Sequence, residues 1–135
     1  MTDLNTLKRI LEPPKTIAIV GMSEKKHRAS FMVGQYLLEQ GYTVIPVNPN
    51  VKQILGQISY LSLADIPVAV DIVDCFRRSD QMVELARAAV DIGAKVLWMQ
   101  LDIVSPEACK IAQSNGLCVI MDRCTKIEHE RIARV

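Results

Sequence analysis

Five short apolar runs alternate along this chain with segments whose apolar residues recur at helical spacing. Blocks rich in isoleucine and valine are typical of strands that are buried on both faces. The predicted strands cover residues 16–20, 43–47, 69–75, 95–99 and 117–121. Because parallel strands are joined by right-handed crossovers, the alternation predicts an α/β fold: a doubly wound parallel sheet of about five strands with helices on both faces.

The remaining segments complete a single predicted domain over residues 1–135. Residues 1–12 carry a short amphipathic helix, and residues 126–135 form a polar C-terminal tail. Residues 51–64 are predicted to be a crossover with a short extended piece. The predicted N-caps of the three helices between the strands are Ser30, either Ser79 or Asp80, and Ser105.

Composition argues against several classes of partner. The net charge of +1 provides no field for nucleic acid or an anionic surface, and aromatic residues, at 4%, are scarce for stacking on RNA. No apolar stretch approaches the roughly 18–20 residues of a membrane span, and a signal peptide is missing, so we expect no membrane partner and a cytoplasmic location. In that reducing compartment the four cysteines are expected to be free thiols.

The first predicted strand ends at Gly21, where open α/β sheets present backbone N–H groups to a phosphate. A dinucleotide fingerprint would continue as G-x-G-x-x-G, whereas Met22, Ser23 and then charged residues follow here. Asn48-Pro49-Asn50 follows the second strand, where a nicotinamide site usually has an acidic residue. Both departures count against a nicotinamide dinucleotide. A tight strand-to-helix turn would by itself also explain Gly21.

Basic residues follow the first and third predicted strands, as Lys25-Lys26-His27-Arg28 and as Arg77-Arg78. Arginine offers a planar fork to phosphate oxygens, and lysine offers a point charge. A predicted strand order of 3-2-1-4-5 puts the switch point, where such sheets bind ligands, between the first and fourth strands. The pattern predicts a site for a ligand with several phosphates; the alternative is that both clusters are solvated loops.

We find no catalytic motif or metal-ligand spacing around His27 or His129, and His129 is expected on an exposed helix face. Cys109 and Cys118 fit apolar positions and are predicted to be inert core residues. Cys124 follows Arg123 near the expected crevice, where a neighbouring cation can raise the reactivity of a thiol. A functional role and a packed structural thiol are both open for Cys124.

Five sequence blocks resemble, in the same order, the small stand-alone CoA-binding proteins of the bacterial CoA-binding domain family. The blocks are Ile19-Val20-Gly21-Met22-Ser23, Val44-Ile45-Pro46-Val47-Asn48-Pro49, Asp71-Ile72-Val73-Asp74-Cys75-Phe76-Arg77-Arg78, Trp98-Met99-Gln100-Leu101 and Met121-Asp122-Arg123-Cys124. The resemblance spans nearly the whole chain. These proteins are related in fold to the nucleotide-binding domain of the succinyl-CoA synthetase α subunit.

The resemblance implies a Rossmann-like fold that holds coenzyme A (CoA) or an acyl-CoA at the carboxyl edge of the sheet. The implied binding residues are Gly21, Met22, Ser23, Arg28, Ser30, Asn48, Pro49, Phe76, Arg77 and Arg78. Those up to Ser30 are expected to approach the phosphates or the pantetheine, the first three of them through backbone groups. Asn48 and Pro49 are expected to border the adenine and ribose, and the segment from Phe76 to line the other side.

The resemblance also implies binding without catalysis, because the phosphohistidine domain of the synthetase has no counterpart in this sequence. CoA carries a diphosphate and a 3′-phosphate, which agrees with the basic residues and with the missing ribose-binding acid. The alternative function is a nicotinamide-dinucleotide-binding redox enzyme or sensor module. Self-association into a homo-oligomer through the N-terminal helix, expected to be exposed, is left open by the sequence.

Overall fold

The computed structural model describes residues 3–134 and contains the predicted alternation of strands and helices. The strands are β1 (Thr16–Val20), β2 (Thr43–Val47), β3 (Gln53–Ile54), β4 (Gln57–Ile58), β5 (Ile72–Cys75), β6 (Val96–Met99) and β7 (Cys118–Ile120). The helices are α1 (Leu4–Leu11), α2 (Ala29–Glu39), α3 (Met82–Asp91), α4 (Pro106–Ser114) and α5 (Thr125–Ala133). Short 3₁₀ helices cover Leu63–Asp65 and Ser79–Gln81. Residues 1, 2 and 135 of the predicted domain lie outside the described residues.

The main sheet is parallel and has the order β2-β1-β5-β6-β7. The predicted order 3-2-1-4-5 is therefore wrong, because β5, the third strand of this sheet along the chain, pairs with β1. Tyr60 occupies the outer edge of β2: its N–H donates to the Pro46 carbonyl at 3.1 Å, and its carbonyl accepts from the Asn48 N–H at 3.0 Å. Because Pro46 has no N–H that could donate to another strand, β2 is suited to the edge of the sheet. The switch point consequently lies between β1 and β5.

Helices cover both faces of the sheet, as the alternation predicts. Helices α1, α2 and α5 cover one face, where Leu37 and Ile132 belong to the same buried cluster as Trp98. Helices α3 and α4 cover the other face, where Ala86 and Ala112 allow close packing on the strands. Full burial of a large apolar side chain contributes about 1.5–3 kcal/mol, so these two layers stabilise the sheet. The fold is α/β and Rossmann-like, as predicted.

Two of the three predicted helix caps are wrong. Arg28 occupies the N-cap of α2, and the Ser30 hydroxyl instead accepts a hydrogen bond from the Ser23 N–H. Residues 79–81 form a 3₁₀ turn before α3, and the Ser79 hydroxyl accepts from the Val104 N–H at 3.0 Å. The Ser105 cap is confirmed, since its hydroxyl accepts from the Ala108 N–H at 3.2 Å.

The predicted polar tail forms α5, and its expected exposed histidine is in fact buried. His129 is only 9% exposed, and its Nδ1 lies 2.6 Å from the Tyr36 hydroxyl. Helix α1 packs against α5, and its residues Leu7 and Leu11 are fully buried. The apolar face of α1 is thus used inside the molecule and is not the exposed surface that self-association through this helix would need.

The extended piece predicted within residues 51–64 is the β3–β4 hairpin. Cys109 and Cys118 are half-buried and not core residues, whereas Cys75 is fully buried. Across residues 3–134, none of the helices has the length and apolar character that crossing a membrane requires.

Candidate functional site

Two adjoining cavities open at the carboxyl edge of the sheet. The first, here called the loop cavity, has a volume of about 340 Å³ and is lined by Gly21, Ser23, Lys25, Arg28, Ala29, Ser30 and Phe76. The second, the central cavity, has a volume of about 560 Å³ and is lined by Ala29, Val33, Phe76, Arg77, Arg78, Gln81, Gln100, Leu101, Ile103 and Cys124. Because Ala29 and Phe76 line both, the two cavities are adjacent.

Gly21 brings the loops after β1 and β5 together. Its φ of +83° lies in the left-handed region that favours glycine. A Cβ placed on Gly21 would lie 2.5 Å from the Phe76 carbonyl oxygen and 3.2 Å from the Arg77 Nε. The Gly21 N–H donates to the Val47 carbonyl at 2.9 Å, which ties the same turn to β2. The glycine is therefore required by a close approach of two backbones at the centre of the site.

The first turn of α2 lines the loop cavity through Ala29 and Ser30. The first N–H groups of a helix have no partner within the helix, and the helix dipole favours an anion beside them. Lys25 and Arg28 add positive charge at the exposed rim of this cavity. The loop cavity thus combines the two features that bind phosphate groups.

Several predicted binding residues make contacts within the protein where contacts with a ligand were predicted. The N–H groups of Gly21 and Ser23 are already donated within the protein, to Val47 and to the Ser30 hydroxyl. The side chain of Met22 is fully buried, in the space left by the missing Cβ of Gly34. The N–H group of Gly21 or Ser23 could donate to a phosphate only by giving up its present hydrogen bond to Val47 or Ser30.

Asn48 and Pro49 lie outside the linings of the loop and central cavities within the described part of the chain. The Asn48 side-chain amide donates to the Met22 carbonyl at 2.8 Å, and its oxygen accepts from the Asn50 N–H at 2.8 Å. Asn48 therefore joins the loop after β2 to the loop after β1.

Two consecutive arginines follow β5, and their surroundings differ. Arg77 is half-buried and lines both the central cavity and a third cavity of about 300 Å³ between the ends of β1 and β2 and helix α3. Arg78 lies 3.2 Å from Asp80, but both side chains are more than 70% exposed, so this ion pair contributes little. Arg77 is the cation that the fold positions best at the site.

A buried polar network lies beneath the central cavity. Asp74 is fully buried on β5, and it accepts hydrogen bonds from Gln100 Nε2 at 2.5 Å and from the Thr125 hydroxyl at 3.1 Å. Burial raises the pKa of the Asp74 carboxyl to about 7, and its hydrogen bonds from Gln100 and Thr125 oppose that shift. The network was not predicted from the sequence, although a carboxylate within a buried apolar strand is an unusual signal.

Cys124 lines the central cavity at the N-cap of α5. The backbone just before Cys124 is held in place, because the Trp98 indole N–H donates to the Arg123 carbonyl at 2.7 Å. The Arg123 guanidinium lies 3.3 Å from Glu128 on α5. The Arg123 cation, which was expected to raise the reactivity of the Cys124 thiol, is therefore paired with a carboxylate. The observation that still favours a functional role for Cys124 is its position in the wall of the central cavity.

The sequence model of a family described as "CoA binding domain" matches residues 15–130. The chain belongs to this CoA-binding domain family. One similar protein is the uncharacterized protein YneT of Bacillus subtilis strain 168, which is 40% identical over 123 residues, covering 91% of each chain. The residues matched by the family model include every segment that lines the loop and central cavities.

Two solved structures resemble this CoA-binding domain closely enough to be informative. A hypothetical protein from Pyrococcus horikoshii OT3 superimposes with a TM-score of 0.94 at 39% identity, covering 98% of this chain and 93% of that chain. The apo form of the dinucleotide-forming acetyl-coenzyme A synthetase 1 from Ca. Korarchaeum cryptofilum superimposes with a TM-score of 0.71 at 25% identity. That alignment covers 84% of this chain but 27% of the synthetase, so the chain matches one part of a much larger protein.

Proposed function

We propose that this protein binds coenzyme A or an acyl-CoA at the carboxyl edge of its sheet without catalysing a reaction. The observation that carries this proposal is that the loop cavity and the central cavity adjoin at Ala29 and Phe76. The loop cavity is basic, and the central cavity is largely apolar apart from its rim at Arg77 and Arg78. CoA has the same division, with phosphates at one end and a long pantetheine arm at the other.

The loop cavity is the proposed site of the diphosphate. The first turn of α2 and the Ser30 hydroxyl supply hydrogen-bonding groups, and Lys25 and Arg28 supply charge. The Arg77 Nε lies 3.2 Å from the position of a Cβ on Gly21, so a further cation borders this turn. Such charge-assisted contacts to phosphate are roughly twice as strong as neutral hydrogen bonds.

The central cavity is the proposed site of the pantetheine arm. Val33, Phe76 and Ile103 provide an apolar wall, while Gln100 offers a polar group to the amides of the arm. The third cavity contains Leu61, Leu63 and Leu85 beside Arg77, which suits a planar base with a phosphate nearby. Val47, the residue before Asn48, also lines this cavity, so the proposed base lies close to the predicted adenine end.

We propose binding alone because no catalytic activity is transferred to this chain. The chain corresponds to 27% of the acetyl-coenzyme A synthetase, so the activity in that protein's name is not transferred to it. Among the residues described, the histidines lie outside the linings of the loop and central cavities, and no cluster of three or more histidine, cysteine or acidic residues could hold a metal. A nicotinamide dinucleotide is the competing ligand, and the experiment below includes it.

We expect Arg77→Ala to weaken CoA binding by about tenfold to a hundredfold. A hydrogen bond to a charged group is worth about 1.5–3 kcal/mol, which corresponds to that range of Kd. Titration calorimetry of the wild-type protein with CoA should show saturable binding, whereas NADH should give none. Arg9→Ala removes the same charge at the opposite edge of the sheet, where Arg9 lines a separate cavity, and should bind CoA as the wild type does. Preference for NADH, or an equal loss in both variants, would contradict the proposal.

A further inference from the structure

Gln100 presents an unused hydrogen-bond acceptor to the central cavity. The side chain is 4% exposed, and its Nε2 donates to Asp74 at 2.5 Å and to the Thr125 hydroxyl at 2.9 Å. Its Oε1 accepts no hydrogen bond from residues 3–134, yet every fully buried side-chain oxygen and nitrogen in that range has a partner. The oxygen is therefore not fully buried, and Gln100 forms part of the wall of the central cavity.

An acceptor fixed in this way points to a ligand with an N–H group. The amide nitrogen cannot turn towards the cavity without breaking two buried hydrogen bonds, which would leave Asp74 and Thr125 poorly satisfied. Thr125 follows Cys124 directly, so the network also places the Gln100 amide next to the residue that carries the thiol. Gln100 and Cys124 both line the central cavity, so its wall contains an N–H acceptor and a thiol.

The last part of the pantetheine arm matches this pair of groups. It ends in an amide N–H followed, two carbons later, by a thiol. Cys124 is half-buried at the N-cap of α5, and its sulfur makes no capping hydrogen bond within the described chain. A ligand amide held by Gln100 would bring its terminal sulfur to Cys124.

We propose that Cys124 forms a mixed disulfide with CoA, guided by the Gln100 carbonyl. This inference rests on the proposed function, because it uses the same cavity. The co-reactant is CoA disulfide, in which two CoA molecules are joined through their sulfurs. The Cys124 thiolate attacks one of these sulfurs and forms a new S–S bond, while the old S–S bond breaks. The second CoA leaves as a thiolate and takes up a proton equivalent to the one lost by Cys124, so the exchange involves no net oxidation.

Intact-protein mass spectrometry tests the step directly. After incubation with CoA disulfide, the mass of the full chain should increase by one CoA less two hydrogens, and dithiothreitol should reverse the increase. The adduct should form at least tenfold faster than the adduct with glutathione disulfide, because only the former is guided by the cavity. Equal rates with the two disulfides would overturn the proposal, since they would show a thiol that reacts without recognition.

Single substitutions locate the site and separate the two hypotheses. Cys124→Ser should abolish the adduct, and it should fold because serine is a favoured N-cap residue. Cys109→Ser and Cys118→Ser, which change cysteines that are also half-buried, should retain it. If calorimetry detects CoA binding but the adduct is absent or maps elsewhere, the disulfide proposal fails and the proposed function stands. If CoA does not bind and no adduct forms, both fail.

Discussion

Asp74→Asn is expected to stabilise the protein at neutral pH by several kcal/mol while leaving its stability near pH 4 almost unchanged. Asp74 is fully buried, and its pKa in the folded protein is about 7, compared with an ordinary value of 3.8. A difference of one pKa unit corresponds to about 1.4 kcal/mol, so the expected effect is on the order of 4 kcal/mol. Asparagine resembles the protonated acid in shape and can still accept the hydrogen bond from Gln100.

The direction of the effect follows from proton binding. Between its ordinary pKa and about 7, the Asp74 carboxyl binds a proton more strongly in the folded than in the unfolded chain. Stability therefore falls as the pH rises through this range and changes no further above it. Burial lowers the pKa of His129, which has the opposite consequence: its contribution is lost as the pH falls below the ordinary histidine value of 6.5. Both proteins contain His129, so its contribution cancels in the comparison.

Urea unfolding of both proteins at about pH 4 and about pH 8 measures this difference. Asp91→Asn, an exposed change on α3, is the control and should alter stability by no more than about 0.5 kcal/mol at either pH. A stability difference that is the same at both pH values would mean that Asp74 is not the group whose proton binding changes on folding.

The strands were predictable from the sequence, but their order was not read correctly. Isoleucine and valine blocks identify buried strands, yet periodicity does not say which strands are neighbours. One signal of the order was present, because Pro46 lies within β2 and proline is confined to edge strands. The predicted order placed β2 inside the sheet and conflicted with that proline.

Helix α5 shows why a polar sequence can conceal a buried face. Its four buried residues have the spacing of one helix face. Three of them, Thr125, Glu128 and His129, are polar, and only Ile132 is apolar. Each polar member has a partner, since Thr125 bonds Asp74, Glu128 pairs with Arg131 at 2.6 Å, and His129 contacts Tyr36. A search for apolar periodicity cannot find such a stripe, and the partners of Thr125 and His129 come from distant parts of the chain.

The convergence of the loops at the candidate site was more predictable than the contacts they make. The carboxyl ends of parallel strands must meet at one edge, so the loops after β1 and β5 were expected to converge. Which N–H groups are free to meet a ligand depends on the partners that the fold supplies, such as Ser30 for the Ser23 N–H. Likewise, Gln100 and Thr125 become partners of Asp74 only when β6 and α5 pack beside β5.

Gly21→Ala is expected to lower both the stability of the protein and its affinity for CoA. The left-handed backbone costs an alanine about 1–2 kcal/mol, and overpacking against the Phe76 carbonyl adds about 1–3 kcal/mol. To relieve this contact, the loops after β1 and β5 must separate, which moves Arg77 away from the α2 turn. Loss of one charge-assisted contact to phosphate would weaken CoA binding by about tenfold or more.

Gly116→Ala separates the effect of backbone conformation from that of the close approach. Gly116 has a similar φ of +86°, but a Cβ placed there meets no atom of residues 3–134 within 4 Å. It precedes β7 and so lies at the amino edge of the sheet, away from the loop and central cavities. Gly116→Ala should therefore lose only the conformational part of the stability in urea and should bind CoA with the wild-type Kd. If Gly21→Ala also bound CoA normally, the turn after β1 would not contact the ligand, and the diphosphate would have to bind elsewhere.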